Sequence, residues 1–259
     1  MKFCVLGSSS SGNSTLIMEN GTSILVDAGL PVGYTSSKIR EITSSDSLDA
    51  IFVSHEHSDH TRSLFPLAKR YSCPVYLSQP VYWYLGTRND HDVRRLSDGV
   101  PVDVGDIRVT PFIVPHDAID PFGFIVEGLE GSLGIVTDLG RVDDNICSRL
   151  RNMQGLVVES NYDPDMLVNG RYPNYLKKRI LDGTGHLSNQ QCSELLSEVV
   201  GPETLEIVLA HLSEENNDPL LAVETSMQVL EETAGTPNIH VSYPRHPTRV
   251  MELGGSRTG

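Results

Sequence analysis

The sequence predicts an α/β fold of two mixed β-sheets covered by helices, and three observations lead there. Short β-branched runs recur along the 259 residues; helical patterns fall between them mainly in the second half; and neither glycine signature of a nucleotide-binding sheet, G-x-G-x-x-G or G-x-x-x-x-G-K-[ST], is present. The runs are KFCVL (2–6), TLIME (15–19), SILVD (23–27), AIFVS (50–54), CPVYL (73–77), IRVTPFIV (107–114), FGFIVE (122–127), LGIVT (133–137), GLVVE (155–159), LEIVLA (205–210) and IHVS (239–242). Each is of strand length, and most are bounded by Gly, Pro, Asn or Asp. Helices are expected over 34–43, 62–71, 142–153, 188–200 and 219–233, with opening signals at Ser188 and at Asp218-Pro219. A strand-rich first half with hairpin-like connections, followed by strand–helix alternation, fits two mixed sheets better than one doubly wound sheet. Trp83, between Tyr82 and Tyr84, reads as part of a packing cluster. One domain is expected over 1–243, with 244–259 a loosely ordered C-terminal tail.

Composition narrows the class. With 39% hydrophobic and 21% charged residues the chain has ordinary globular material, enough for a sizeable core. No apolar stretch approaches the roughly 20 residues of a membrane-spanning helix, and the opening MKFCVLGSSSSGNS lacks a signal-peptide core. The four cysteines lie far apart without a C-x-x-C pair, so reduced thiols and a cytoplasmic location are expected. A net charge of −14 argues against a protein that coats nucleic acid over its whole surface. It leaves room for a nuclease with one local basic groove.

Chemistry concentrates in Ser54-His55-Glu56-His57-Ser58-Asp59-His60, which follows the apolar run AIFV. Imidazole and carboxylate groups packed this closely suit Zn²⁺, Mn²⁺ or Fe²⁺; the alternative is a polar loop whose histidines pair with Glu56. Other apolar runs end in candidate ligands as well: FIVP in His116, GIVT in Asp138, IVLA in His211, LVVE in Glu159 and ILVD in Asp27. Singly, each reads as a turn or cap residue. Taken with the histidine loop, they read as the rest of a metal shell gathered at strand ends. PHDAIDP also offers Asp117, and a strand end presents only one of His116 and Asp117 inward.

H-x-H-x-D-H, an isolated His, an Asp after a hydrophobic strand and a late His, with ILVDAGL (24–30) upstream, resemble the metallo-β-lactamase superfamily. The ordered set KFCVLGSSSSGNST, VSHEHSDH, PHDAIDPFGF, TDLG, ESNYD, YPNYLKKRI, GHLSN and AHLSEENN looks like its YycJ/WalJ branch of metal-dependent hydrolases, over residues 1 to about 235. The resemblance implies a four-layer αββα sandwich and two divalent metal ions, Zn²⁺ or Mn²⁺. It puts His55, His57 and His116 on one ion, Asp59, His60 and His211 on the second, and Asp138 on both. Asp27 would orient the histidine loop without ligating. Asp59 would also orient the attacking water or accept its proton.

His186, in Gly185-His186-Leu187-Ser188-Asn189, resembles the histidine of phosphodiesterase branches that contacts the scissile phosphate or protonates the leaving oxygen, and Glu159 would orient it. The plainer alternatives are a helix-entry histidine and a strand-end acid. Lys177, Lys178 and Arg179, with Arg171, form a basic segment that either tracks a phosphate backbone or is a solvated face. Gly7–Ser14, with Ser10 and Asn13, either presents donors to a substrate phosphate or is a hairpin turn. The expected function is a dinuclear metal-dependent phosphodiesterase using a metal-bridging hydroxide. Its substrate is expected to be nucleic acid, with no membrane partner, and the resemblance to the YycJ/WalJ branch implies exonuclease-type action with DNA favoured over RNA. One alternative is hydrolysis of a small ester, thioester, lactam or cyclic phosphodiester. A second is a metal-stabilised regulatory protein without turnover.

Overall fold

A computed structural model of the chain describes residues 1–86, 91–233 and 235–254. The chain divides into two compact units. The first comprises Met1–Ile113, Ala118–Gly131 and the segment from Tyr243 onward; the second comprises Val114–Asp117 and Ser132–Ser242.

The first unit opens with the antiparallel strands β1 (Lys2–Gly7), β2 (Ser14–Glu19) and β3 (Thr22–Val26). Helix α1 (Val32–Thr43) then buries Ile39 and ends at Ser44, which adopts a left-handed conformation (φ 56°). Strand β4 (Ala50–Phe52) delivers the histidine loop, whose last residues form the single turn α2 (Ser58–Thr61). Next come α3 (Leu64–Tyr71), β5 (Val75–Ser78), α4 (Gln79–Leu85) and β6 (Val93–Leu96). Strands β3, β4, β5 and β6 are parallel neighbours, so their C-terminal ends share one edge of the sheet. The near-continuous apolar runs of β3, β4 and β5 follow from that: Ile24, Leu25, Ile51, Phe52 and Val75 are buried, as strands covered on both faces require. Strands β7 (Val102–Val104), β8 (Ile107–Ile113) and β9 (Phe122–Glu127) form an antiparallel run in the same unit.

In the second unit β10 (Ser132–Val136) leads through α5 (Asp144–Leu150) to β11 (Gly155–Glu159). Short helices α6 (Pro164–Asn169) and α7 (Asn174–Leu181) precede α8 (Asn189–Val199), β12 (Glu206–Ala210), α9 (Pro219–Leu230) and β13 (Asn238–Val241). All four strands are parallel. Helix starts match their sequence signals. Ser188 accepts from Gln191 N while the Gln191 side chain accepts from Ser188 N, a full capping box, and Asp218 accepts from Leu220 N ahead of Pro219.

Three strands were not legible as strands. β6 reads VRRL and β7 reads VDV, and both end their sheets, where charged side chains are tolerated because one edge meets solvent. The third, β14 (Met251–Glu252), corrects the loosely ordered tail expected over 244–259. It pairs with β1 through Phe3↔Met251, Thr248 N donates to Val5 O at 2.9 Å, and Met251 and Leu253 are buried. The outer edge of β1 needs a partner, and two apolar side chains two residues apart suffice to hold one. Residues 255–259 lie outside those described. The packing cluster expected around Trp83 is also corrected: Trp83 is 67% and Tyr84 65% exposed on α4.

No disulfide forms, and Cys4, Cys73 and Cys192 are buried while Cys147 is half-buried. Burial pushes the Cys73 thiol up to about 11 and Cys192 up to about 12. With iodoacetamide at pH 8, Cys147 is expected to label well ahead of the other three in the folded protein, read by peptide mass spectrometry. Equal rates at all four would show that burial does not govern them.

Candidate metal centre

In the first unit the candidate ligands hang on the C-terminal ends of β3 and β4. Asp27, the residue after β3, takes a left-handed conformation (φ 61°) that turns its carboxylate back along the sheet edge. Its Oδ1 accepts from Ser54 N at 2.9 Å, and its Oδ2 accepts from His60 Nδ1 at 2.8 Å, with the Ser54 hydroxyl donating as well. Because Ser54 spends its one proton on Asp27, its oxygen accepts from His55 Nδ1 at 2.9 Å. Both histidines are thereby assigned the tautomer whose Nε2 carries a lone pair. His55 Nε2 lies 3.0 Å from His57 Nδ1, and His60 Nε2 lies 3.2 Å from Asp59 Oδ2.

Backbone packing holds this loop in place. Asn13 N donates to Asp59 O and Ala28 N to His60 O, each at 2.7 Å. Gly29 lies so close to the Asp59 carbonyl that a Cβ would collide with it, which explains the glycine of ILVDAGL. Asn13, expected among substrate contacts, is instead buried, and its amide donates to Asp59 Oδ2 at 3.1 Å and meets His60 Nε2 at 3.0 Å. Ser10 is exposed. Glu56 does not serve the histidines in the manner of the polar-loop alternative. Its carboxylate accepts from Ile119 N at 3.0 and 3.1 Å, while His57 Nε2 stays 4.0 Å away.

The second unit gathers His116, Asp138, Glu159, His186 and His211. Glu159, at the end of β11, is buried, and each of its oxygens accepts two donors. Oε1 accepts from His186 Nδ1 and His211 Nδ1, each at 2.8 Å, and Oε2 accepts from Leu139 N at 2.9 Å and Leu187 N at 3.0 Å. Asp138 Oδ1 lies 3.6 Å from His116 Nε2, 3.5 Å from His186 Nδ1 and 3.6 Å from His211 Nδ1. His116 Nδ1 donates to Gly185 O at 3.0 Å, so its Nε2 also carries the lone pair. That settles the choice in PHDAIDP: His116 faces the cluster, while Asp117 turns away to accept from Arg179 at 2.6 Å. His211, the residue after β12, is left-handed (φ 56°), an unusual backbone for a non-glycine residue and one that concentrates at functional sites. Three loops interlock around these residues, through Asp117 N to Thr184 O (2.8 Å) and Gly140 N to Pro115 O (2.7 Å). A Cβ on Gly140 would strike Thr184, which accounts for the glycine of TDLG.

Burial by itself would raise the Glu159 pKa, but the charge and hydrogen bond of His186, with the His211 bond, outweigh it and hold the carboxyl below the usual range. For His186, burial pulls downward, and the Glu159 charge and hydrogen bond with the Asp138 charge outweigh it, so the pKa is raised. Lys177 and Arg179, expected to face a phosphate backbone, are engaged elsewhere. Lys177 donates to Val168 O and Gly170 O at the end of α6, at 2.7 and 2.8 Å, and Arg179 pairs with Asp117. Lys178 is exposed. Sequence reasoning missed the orienting role of Ser54, whose place between a strand end and His55 was the available signal. It also missed Asn161, which donates to His211 O at 2.6 Å.

The donor set fits divalent cations. Five of the histidines, His55, His60, His116, His186 and His211, have Nδ1 tied to a hydroxyl, carboxylate or carbonyl, the arrangement that aims Nε2 of a metal-ligating imidazole. One donor atom each of Asp138, Glu159, His186 and His211 also lies within 4.8 Å of the others. Asp27→Ala would strand three donors at a buried point. It is expected to cost about 3 kcal/mol of stability and to lower bound metal, read by thermal denaturation and metal analysis, with Asp27→Asn intermediate. An unchanged melting temperature in Asp27→Ala would remove Asp27 from this role.

Comparison with known proteins shows the family. Residues 22–211 match the model of the β-lactamase superfamily domain. The exodeoxyribonuclease YycJ of Bacillus anthracis is 34% identical, with 97% of this chain and 98% of that protein covered. The exodeoxyribonuclease WalJ of Streptococcus pneumoniae is 35% identical over 88% of each. Among solved structures, the metallo-β-lactamase fold protein YhfI of Bacillus subtilis superposes with a TM-score of 0.74 at 16% identity, covering 95% of this chain and 98% of that one. The fold class read from the sequence, two mixed sheets flanked by helices, is thus the fold of the chain, with seven strands in each sheet among the described residues. The chain belongs to the metallo-β-lactamase superfamily of hydrolases, in its YycJ/WalJ-like branch.

Proposed function

We propose that the chain is a dinuclear metal-dependent phosphodiesterase that acts on DNA ends. His55, His57 and His116 hold one ion, Asp59, His60 and His211 the other, and Asp138 both. Zn²⁺ and Mn²⁺ each suit this nitrogen and oxygen donor set. When bound, paired divalent ions draw a nucleophile from water near neutral pH and offset charge building on a phosphate. The names carried by its relatives, exodeoxyribonucleases at 34 and 35% identity, support DNA as the polymer.

The observation that carries the reading is the contrast among the histidines of the second unit. The side chains of His116 and His211 are 2% exposed and that of His186 is 24% exposed. Glu159 holds His186 by Nδ1, so its Nε2 is the end turned away from the carboxylates. A histidine oriented from behind and open in front is placed to touch a scissile phosphate or protonate its leaving oxygen. Its membership in the Asp138–Glu159–His186–His211 group favours one competing role, that of a ligand.

The test offers the protein, loaded with Mn²⁺ or Zn²⁺, end-labelled single- and double-stranded DNA, RNA, bis-p-nitrophenyl phosphate and a chromogenic lactam. Cleavage of DNA from its ends is expected, and no phosphodiester turnover with either metal would overturn the reading. His186→Ala is expected to lower phosphodiester turnover by about 100-fold or more with metal content unchanged. Loss of metal in that variant would make His186 a ligand instead.

A further inference from the structure

An aromatic and basic face stands on the first unit, outside the candidate ligands. Helix α4 and strand β6 enclose a cavity of about 320 Å³ lined by Ser78, Gln79, Tyr82, Arg94 and Arg95, among others. On the same helix Trp83 and Tyr84 are two-thirds exposed. Two large aromatic side chains left in water on one short helix sacrifice burial that a core would have used. The guanidinium groups differ in how they are held. Arg94 is fixed by Asp92, at 2.7 and 3.2 Å, and by the Tyr76 hydroxyl at 2.8 Å. Arg95 is exposed and has no carboxylate in ion-pair reach among the described residues, in a chain of net charge −14.

Topology sets where this face lies. Strands β3, β4, β5 and β6 run parallel in that order, with Phe52 level with Tyr76 and Tyr76 level with Arg94. The ends of β3 and β4 carry Asp27 and the histidine loop, and the end of β5 carries Ser78 and Gln79 of the cavity. The cavity runs along β6 from His91 to Arg95 and reaches that sheet edge at Ser78 and Gln79. Its two strands stand one and two places from β4, about 5 and 10 Å at the usual strand spacing. Open parallel edges are where such sheets bind their ligands.

We propose that the α4–β6 face is a secondary binding surface for single-stranded DNA, with bases stacking on Trp83 and Tyr84 and phosphates meeting Arg95 and Arg94. The occupant follows from charge and shape. Arg95, with no carboxylate in ion-pair reach among the described residues, lines a cavity walled by the helix that carries the exposed rings; that combination matches a strand that alternates anionic phosphates with flat bases, and base–aromatic stacking is tolerant of sequence. An acidic peptide would satisfy the arginines and leave the rings in water. The proposal rests on the DNA reading above for its purpose: the face would hold the strand upstream or downstream of the bond being cut.

Trp83 is the only tryptophan, so its fluorescence reports on this face alone. Full-length protein in EDTA, which prevents cleavage, is titrated with oligothymidylate of about 20 nucleotides, longer than the ~4–16 a single-strand site covers. Quenching is expected, weakening steeply with salt. Arg95→Glu should bind about tenfold more weakly, and Trp83→Ala likewise by anisotropy of labelled DNA, both with an unchanged circular dichroism spectrum. With metal restored, Arg95→Glu should raise the KM for long strands and spare bis-p-nitrophenyl phosphate, which is too small to reach α4. Absent quenching, quenching by polyglutamate as strong as by DNA, response to inorganic phosphate alone, or protein-concentration dependence without DNA (a second copy covering the face) would each overturn the proposal. If the wild type cleaves no phosphodiester, the functional reading fails, and the fluorescence titration still decides this one.

Discussion

An imidazole presents a lone pair on Nε2 only while its proton stays on Nδ1, and nearly everything described in the two units serves that constraint. Two buried carboxylates enforce it. Asp27 accepts a hydrogen bond from His60 Nδ1 and one from the Ser54 hydroxyl, whose oxygen in turn accepts from His55 Nδ1. Glu159 accepts from the Nδ1 of both His186 and His211. Both carboxylates are buried, and each is met by several donors, in part from backbone N–H groups at the ends of strands and loops. The backbone thus supports the carboxylates, the carboxylates orient the rings, and the rings present nitrogen to whatever enters.

The strand-end pattern made much of this legible. A residue that follows a buried parallel strand emerges at the sheet edge, so His55, Asp138, Glu159 and His211 could be read as candidates from their place after apolar runs. Helix starts were equally plain, because Ser188 and Asp218 act through neighbours two or three residues away. Interactions local in sequence leave local signals.

What stayed hidden was set by partners distant in sequence. Lys177 and Arg179 look like a basic segment until their acceptors, Val168, Gly170 and Asp117, come into view. Asn13 reads as a loop residue and proves to meet Asp59 and His60, more than forty positions away. His116 and Asp117 are indistinguishable as neighbours, and only the Gly185 carbonyl and Arg179 tell them apart. The charged edge strands β6 and β7 were missed because propensity describes half-buried central strands better than edges.

The hydrogen bonds from Asn13 and Ala28 to the carbonyls of Asp59 and His60, with Gly29 pressed against the first, have a bearing on how a cation would be received. The polypeptide around the histidine loop finds its partners in protein, so its shape does not wait on an ion. A cation arriving there meets a rigid receptor and loses little binding free energy to ordering the chain. Removing it should likewise leave the fold standing, unlike small domains whose folding is their metal binding. The receptor's nitrogen and oxygen donors suit more than one divalent metal, so the shape of the loop by itself does not choose among them.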